Sequence, residues 1–290
     1  MIRIAIPNKG RLHEPTLALF KDAGLPIFGG GHESRQLISK TTDPEITFIF
    51  ARAADIPLYV AEGTADLGIT GLDLVEERKA SVDLLLDLKY GHSRLVLAVP
   101  ETSEIRTAKE LAGKRVATEF PEITKRFFEY NKIDDIEVIQ VSGACEMTPH
   151  IGVAEAIVDI TSSGTTMMIN KLRAIDVVFD SQVFLIANKK SLATQEKIRD
   201  VETAVRSVLL AKTKRYIMMN LPAEALHDVQ KILPGMNGPT VMEVQSPNAN
   251  EKVYAVHAVV DSDSIFVVIR KLKLLGARDI LVLPVERLIP

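Results

Sequence analysis

The sequence predicts an α/β protein with two α/β lobes in the first 212 residues and a smaller βαββαβ module after them. Three observations carry this. Short β-branched runs alternate with helix-period segments up to residue 188. The apolar run over 177–188 reads as a return from the second lobe to the first. From residue 216 the pattern becomes strand, helix, strand, strand, helix, strand.

The elements follow in order. Residues 2–6 alternate Ile with Arg and Ala and read as a strand, and Leu12, Leu17, Leu19 and Phe20 lie on a helix ending near Gly24. Residues 46–50 are a strand, 56–60 a helix and 67–70 a buried strand, and Gly71 opens another helix. Such alternation predicts a largely parallel sheet covered on both faces. Residues 95–100 lead into a second unit with strands at 116–118, 136–141 and 157–160 and helices at 107–111 and 122–130. Strand 96–100 and the return form a two-strand hinge. The lobes are therefore 1–97 with 181–212, and 98–180. A helix over 194–212 precedes the module at 213–290, whose strands fall at 216–220, 240–244, 253–260 and 280–284 and its helices at 222–232 and 262–275. That order is ferredoxin-like, of the kind found in ACT-like domains, and Pro222 sits near a helix start, where proline fits.

A net charge of −3 and a pI near 6.1 exclude general basic character, so neither nucleic acid nor a membrane surface is an expected partner. The single Cys145 excludes an intrachain disulfide framework and points to a reducing, cytoplasmic setting. The first strand is no signal peptide, and no run reaches the roughly 18 apolar residues of a membrane span. Neither a G-x-G-x-x-G nor a Walker A pattern occurs.

The most informative stretch is 146–167. Ala156-Ile157-Val158 is a short apolar run closed by Asp159, and Thr161-Ser162-Ser163-Gly164-Thr165-Thr166 follows before a helix that begins at Met167–Leu172. A strand, a hydroxyl- and glycine-rich turn and a helix start make an anion cradle from inward amides, the helix dipole and hydroxyl donors. Asp159 and Glu155 are acceptors suited to ribose hydroxyls, so the pattern describes a ribose-5-phosphate ligand. Ordinary αβ corners share this composition.

The wider spacing is more specific. Glu146, Gly152, Ala154, Ile157, Asp159-Ile160, Ser163-Gly164 and Thr166-Met167 together resemble the signature of the ATP phosphoribosyltransferase family. So do Ile2-Arg3-Ile4-Ala5-Ile6-Pro7-Asn8-Lys9-Gly10-Arg11-Leu12, Gly68-Ile69-Thr70-Gly71-Leu72-Asp73-Leu74 and Leu233-Pro234-Gly235-Met236-Asn237-Gly238-Pro239-Thr240-Val241. The chain resembles the family's long form over nearly its whole length. It departs at Glu155, where members usually have Asp, and at Phe120, where some have Tyr.

The resemblance implies a catalytic body like a type II periplasmic binding protein and a C-terminal domain that binds histidine as a feedback inhibitor. It implies transfer of the phosphoribosyl group of phosphoribosyl pyrophosphate to N1 of the adenine of ATP, with Mg²⁺ carried by the substrate rather than by a protein site. The family assembles as dimers and hexamers, so a homo-oligomer is expected. In this reading Glu155, Asp159, Thr161, Ser162, Ser163, Gly164, Thr165 and Thr166 hold the phosphoribosyl group. Lys9, Gly10, Arg11, Arg52, Asp73 and Glu146 meet ATP or pyrophosphate. Asn220, Met236 and Thr240 line the effector pocket. Bland alternatives stand beside several of these: solvated surface for Lys9 and Arg11, an ion pair with Asp55 or Glu62 for Arg52, a helix-start charge for Asp73, and a helix-surface pair with His150 for Glu146. A reading from another class is a non-catalytic two-lobed sensing protein with an amino-acid-binding module.

Overall fold

A computed structural model describes residues 1–29, 37–162, 164–233, 238–245 and 252–289. Ser163 and Met236 lie outside the described residues. The chain divides into two compact units, one made of residues 1–21 and 25–202 and the other mainly of 203–290.

In the first unit, β1 (Ile2–Pro7), β3 (Ile46–Ala51) and β4 (Leu67–Gly71) pair in parallel at the centre of a six-stranded sheet. They read clearly because they are buried on both faces. Ile2, Ile4, Ile6, Phe48, Leu67 and Ile69 are fully enclosed on one face, and Ala5, Gly68 and Thr70 are buried on the other. Helices α1 (His13–Asp22), α2 (Ile56–Ala61) and α3 (Leu72–Glu77) connect or follow these strands. The sheet order is β2-β3-β1-β4-β11-β5, where β2 (Ile38–Lys40), β5 (Asp83–Asp87) and β11 (Val183–Ala187) run antiparallel to their neighbours. The sheet is therefore mixed rather than largely parallel, because the short edge strand β2 and the returning strand β11 run against the central three, while β5 beyond β11 runs with them again.

The second sheet has the order β10-β6-β9-β7-β8. β6 (Ser93–Pro100) enters it, β7 (Arg115–Thr118), β8 (Glu137–Gln140) and β9 (Ala156–Thr161) are parallel to one another, and β10 (Leu172–Ser181) leaves it antiparallel to β6. The expected two-lobe architecture is present, but its two crossings are short connecting segments rather than strands shared by the lobes. All of β6 from Ser93 belongs to the second sheet, so the chain crosses over 88–92 on the way out and at Gln182 on the way back.

Several elements differ from the sequence reading. The helix expected from Met167 to Leu172 is a single short turn, α5 (Thr165–Ile169), because Lys171 adopts φ +51° and the chain re-extends as β10. The helix expected over 107–111 is a 3₁₀ turn, Ala108–Leu111. The helix expected over 194–212 is two helices, α6 (Lys189–Thr194) and α7 (Lys197–Lys212), parted where Gln195 is extended.

Helix α4 (Pro121–Tyr130) joins the lobes by an unusual cap. Its N-cap residue, Phe120, offers no acceptor, and Pro121 has no N–H. The carboxylate of Glu77, at the end of α3 in the other lobe, accepts the Glu122 and Ile123 N–H groups at 3.1 Å each. Arg126 pairs with Glu76 at 2.8 Å beside it. Glu77→Ala is expected to lower the unfolding free energy by about 1–2 kcal/mol, as loss of a helix cap does. Glu77→Gln, which keeps one acceptor oxygen, should lose less. Urea melts check this, and an unchanged midpoint for Glu77→Ala would remove the cap from the account.

The second unit is a four-stranded antiparallel sheet, β13-β14-β12-β15, formed by β12 (Lys214–Pro222), β13 (Thr240–Val244), β14 (Val253–Asp261) and β15 (Arg278–Pro284). Helices α8 (Leu226–Ile232) and α9 (Ile265–Leu274), each led by a 3₁₀ turn, complete the ferredoxin-like order. Ile217, Met219 and Leu221 alternate inward with Val256, Ala258 and Val260 and pack on Val229, Val268 and Leu272.

Candidate functional site

The β1–α1 loop turns sharply at Gly10, whose φ of +80° suits glycine. It brings Lys9, Gly10, Arg11 and Leu12 to a cleft of about 220 Å³ between the lobes of the first unit. Ala53, Gly71, Asp73, Leu74, Gly91, Ser181 and Val183 line the same cleft, and Phe120 and Ile160 close it from the second lobe. Four predicted residues, Lys9, Gly10, Arg11 and Asp73, thus converge. Lys9 is exposed and makes no ion pair among the described residues.

Asp73 is only 3% exposed. Its N–H donates to Ser181 Oγ at 3.0 Å, and the Ser181 hydroxyl donates back to Oδ1 at 2.8 Å. Burial raises its carboxyl above the usual range, opposed by Ser181, the Leu74 N–H and the charge of Arg11. Gly71 is glycine for space: a Cβ there would lie 2.0 Å from Asp73 Oδ1. Arg52 is exposed and pairs with neither Asp55 nor Glu62, yet it does not line the cleft.

The predicted phosphate loop sits at the carboxyl end of β9. The Gly164 N–H donates to Thr161 Oγ1 at 2.9 Å, and Gly164 takes φ +76° with open space around it. Ser162, Thr165 and Thr166 face solvent. Asp159 lies two residues before the loop's first hydroxyl and accepts the Ile160 N–H at 2.7 Å. Burial first, then the charges of Glu146 and Glu119, push its carboxyl up to about 6. The same three carboxylates, after burial, hold the Cys145 thiol protonated, and Cys145 donates to the Ala117 carbonyl at 3.3 Å. It is a quiet core thiol.

The structure separates other predicted residues from this group. Glu155 precedes β9, at the end opposite the loop, about 13 Å along the strand from Asp159. Its carboxylate accepts the N–H, Nε and Nη2 of Arg115, at 2.8, 3.3 and 2.6 Å, which holds it below the usual range. In this structure its partner is Arg115. Glu146 and His150 do not share a regular helix: Glu146 lies in a 3₁₀ turn (Cys145–Met147), and His150 Nε2 meets the Asn170 carbonyl at 2.7 Å. Ile160 faces the cleft while Asp159, its neighbour, points to the other face of the sheet. In the second unit, Asn220 donates to Asp279 at 3.0 Å, and Thr240 lies opposite His257 on β14. Both are on the sheet face away from the helices, two strands apart.

Sequence reasoning missed Glu119, Ser93 and Ser181. Glu119 follows β7, whose Thr118 is in register with Val158 of β9, so two parallel carboxyl ends set Glu119 beside Asp159. A charged residue just past a buried parallel strand was the available signal. Among the described residues no three His, Cys, Asp or Glu side chains are arranged to hold a metal ion.

Two family models match the chain: ATP phosphoribosyltransferase over residues 52–207, and the C-terminal domain of the same family over 211–287. The ATP phosphoribosyltransferases of Methanosarcina mazei and Methanosarcina acetivorans are 63% and 64% identical to it over the full length of both chains. Among solved structures, the ATP phosphoribosyl transferase (HisG:HisZ) complex from Thermotoga maritima aligns with 71% of this chain and 99% of its own, at 28% identity and a TM-score of 0.61. The L-arginine-bound protein Tv2483 aligns with 71% of this chain and 83% of its own at 12% identity and a TM-score of 0.50, a likeness of fold alone. The two-lobed body is therefore of the binding-protein type, and the chain belongs to the ATP phosphoribosyltransferase family, in the long form that carries its own C-terminal domain.

Proposed function

We propose that the chain joins N1 of the adenine of ATP to C1 of phosphoribosyl pyrophosphate and releases pyrophosphate, the first step of histidine biosynthesis. The observation that carries the site assignment is the β9 junction: a half-buried carboxylate, Asp159, directly ahead of a hydroxyl-rich turn. Asp159 accepts ribose hydroxyls, and Thr161, Ser162, Gly164, Thr165 and Thr166 receive the 5′-phosphate, joined by Ser163. Lys9 and Arg11 face the polyphosphate from the other lobe. Arg11 can bind bidentately, and Lys9 acts as a point charge. Asp73 and Arg52 serve the nucleotide side.

The chemistry asks little covalent work of the protein. Charge develops as the C1–O bond to pyrophosphate breaks and the sugar becomes oxocarbenium-like. The protein aligns the adenine nitrogen with C1 and stabilises the departing diphosphate. Mg²⁺ carried on the diphosphate would supply charge neutralisation there, with no protein ligand required of the described residues. The ferredoxin-like unit binds histidine through Asn220, Thr240 and Met236, and the effector acts by biasing a two-state assembly of dimers and hexamers. The lone cysteine suits a reducing cytoplasmic setting. Among the described residues no helix is long and apolar enough to cross a membrane.

The test is an assay with ATP, phosphoribosyl pyrophosphate and Mg²⁺, with pyrophosphatase added and the ultraviolet change of N1-substituted adenine as readout. A signal that needs both substrates and falls with histidine is expected. No signal from a folded protein that still binds histidine would favour the sensing-protein reading. Truncation after Lys212 is expected to leave catalysis less sensitive to histidine. A folded truncated enzyme that histidine still inhibits would refute the regulatory assignment.

A further inference from the structure

The two strands that adjoin the crossings meet at a pair of serines. Ser93 begins β6 and Ser181 ends β10, and the ladder sets them directly opposite each other. Each is 1% exposed. Residues so paired project to the same face of the sheet. There each hydroxyl engages a charged residue of the cleft. Arg11 donates from Nη2 to Ser93 Oγ at 2.8 Å, and Ser181 exchanges two hydrogen bonds with Asp73.

Arg11 lies near enough to Asp73 to draw its carboxyl down, yet the two form no ion pair among the described residues. Ser93 is also the guanidinium's one protein partner among them. A guanidinium beside a buried carboxylate would ordinarily close onto it in a bidentate pair. The two serines, one on β6 and one on β10, engage Arg11 and Asp73 separately, and Arg11 still lines the cleft.

We propose that Ser93 is a positioning residue for the transfer reaction: it anchors Arg11 at the junction of the lobes and keeps its guanidinium available to the anionic substrate. This rests on the reading of Arg11 as a phosphate contact. Ser93 does not touch substrate itself.

A double-mutant cycle on the full-length enzyme tests it: Ser93→Ala, Arg11→Ala and the double variant, with KM for each substrate, kcat and melting temperature measured for all. Ser93→Ala should raise the KM of the substrate that Arg11 contacts about 3- to 10-fold, as loss of one hydrogen bond does, with kcat within about twofold. In the Arg11→Ala background the same change should have no further effect. Ser93→Thr, which keeps the hydroxyl, should recover most of the loss. Should Ser93→Ala fail to fold, Ser93→Cys removes the oxygen at nearly constant volume and takes its place. Additive effects, or an unchanged KM in the Ser93 variant, overturn the proposal while leaving Arg11 as a substrate contact. If Arg11→Ala alone leaves both KM values unchanged, the reading of Arg11 fails and the proposal falls with it.

Discussion

Asp159→Asn is expected to lower kcat/KM for phosphoribosyl pyrophosphate by about 100- to 1000-fold and, at neutral pH, to raise the melting temperature. The two effects have one cause. A carboxylate accepting two ribose hydroxyls makes two charge-assisted hydrogen bonds of about 1.5–3 kcal/mol each, and the neutral amide keeps only part of that. The same carboxylate is uncomfortable in the free enzyme. Burial, with repulsion from Glu146 and Glu119, raises it to about 6 from an ordinary value of 3.8. Below the ordinary value both folded and unfolded chains hold the proton. Between about pH 4 and 6 the folded chain keeps a proton that the unfolded chain has lost, so stability falls as pH rises through that window. At full ionisation the loss is on the order of 2 kcal/mol, allowing for partial solvation. Asparagine carries no charge, so it recovers this above about pH 6 and nothing below about pH 4. A gain of about 2–6 °C at pH 7 to 8, vanishing in acid, is the signature. Wild-type kinetics would remove Asp159 from the site, and a lower melting temperature at pH 8 would refute the strained carboxylate.

The strands with the clearest signal in the sequence are those that need no partner to be recognised. β1, β3, β4 and β9 are short, β-branched and largely buried, and each follows or precedes a turn. β2 and β5 were not legible. They are short edge strands of three and five residues, and only pairing with β3 and β11 makes them strands. The first half of β10 hid for a related reason, whereas its end and β11 read together as one returning run over 177–188. Arg173 and Asp176 interrupt the apolar residues of that first half, and β6 supplies the ladder that extends it. The phosphate loop was legible because its residues are contiguous. Glu155 shows the limit of that logic: four positions before Asp159 in sequence, it is at the far end of a strand and answers to Arg115. Glu119 and Ser93 show the converse, since each reaches its partner through strand register.

Gly91→Ala is expected to cost about 2–5 kcal/mol of stability and to impair catalysis as well. Gly91 lies in the segment that first crosses between the lobes, with φ +66°, and a Cβ there would sit 2.7 Å from both Leu12 Cδ2 and Val183 Cγ2. The left-handed backbone alone costs a non-glycine residue about 1–2 kcal/mol, and overpacking adds about 1–3 kcal/mol. The segment has little room to yield. On one side the Tyr90 hydroxyl bonds Thr16 Oγ1 at 2.8 Å in a site buried enough to push the phenol up to about 12. On the other, Ser93 begins β6 and receives Arg11. Relief must come from Leu12, the residue after Arg11, so the strain passes into the cleft. Gly113→Ala is the matched control: φ there is +72°, but nothing lies within 4 Å of the added Cβ. It should lose only the backbone cost and keep its kinetics. Thermal melts and kcat/KM for the two variants separate the cases. Equal losses would mean that close packing at the crossing contributes nothing, and that the lobes tolerate displacement of Leu12 without disturbing Arg11.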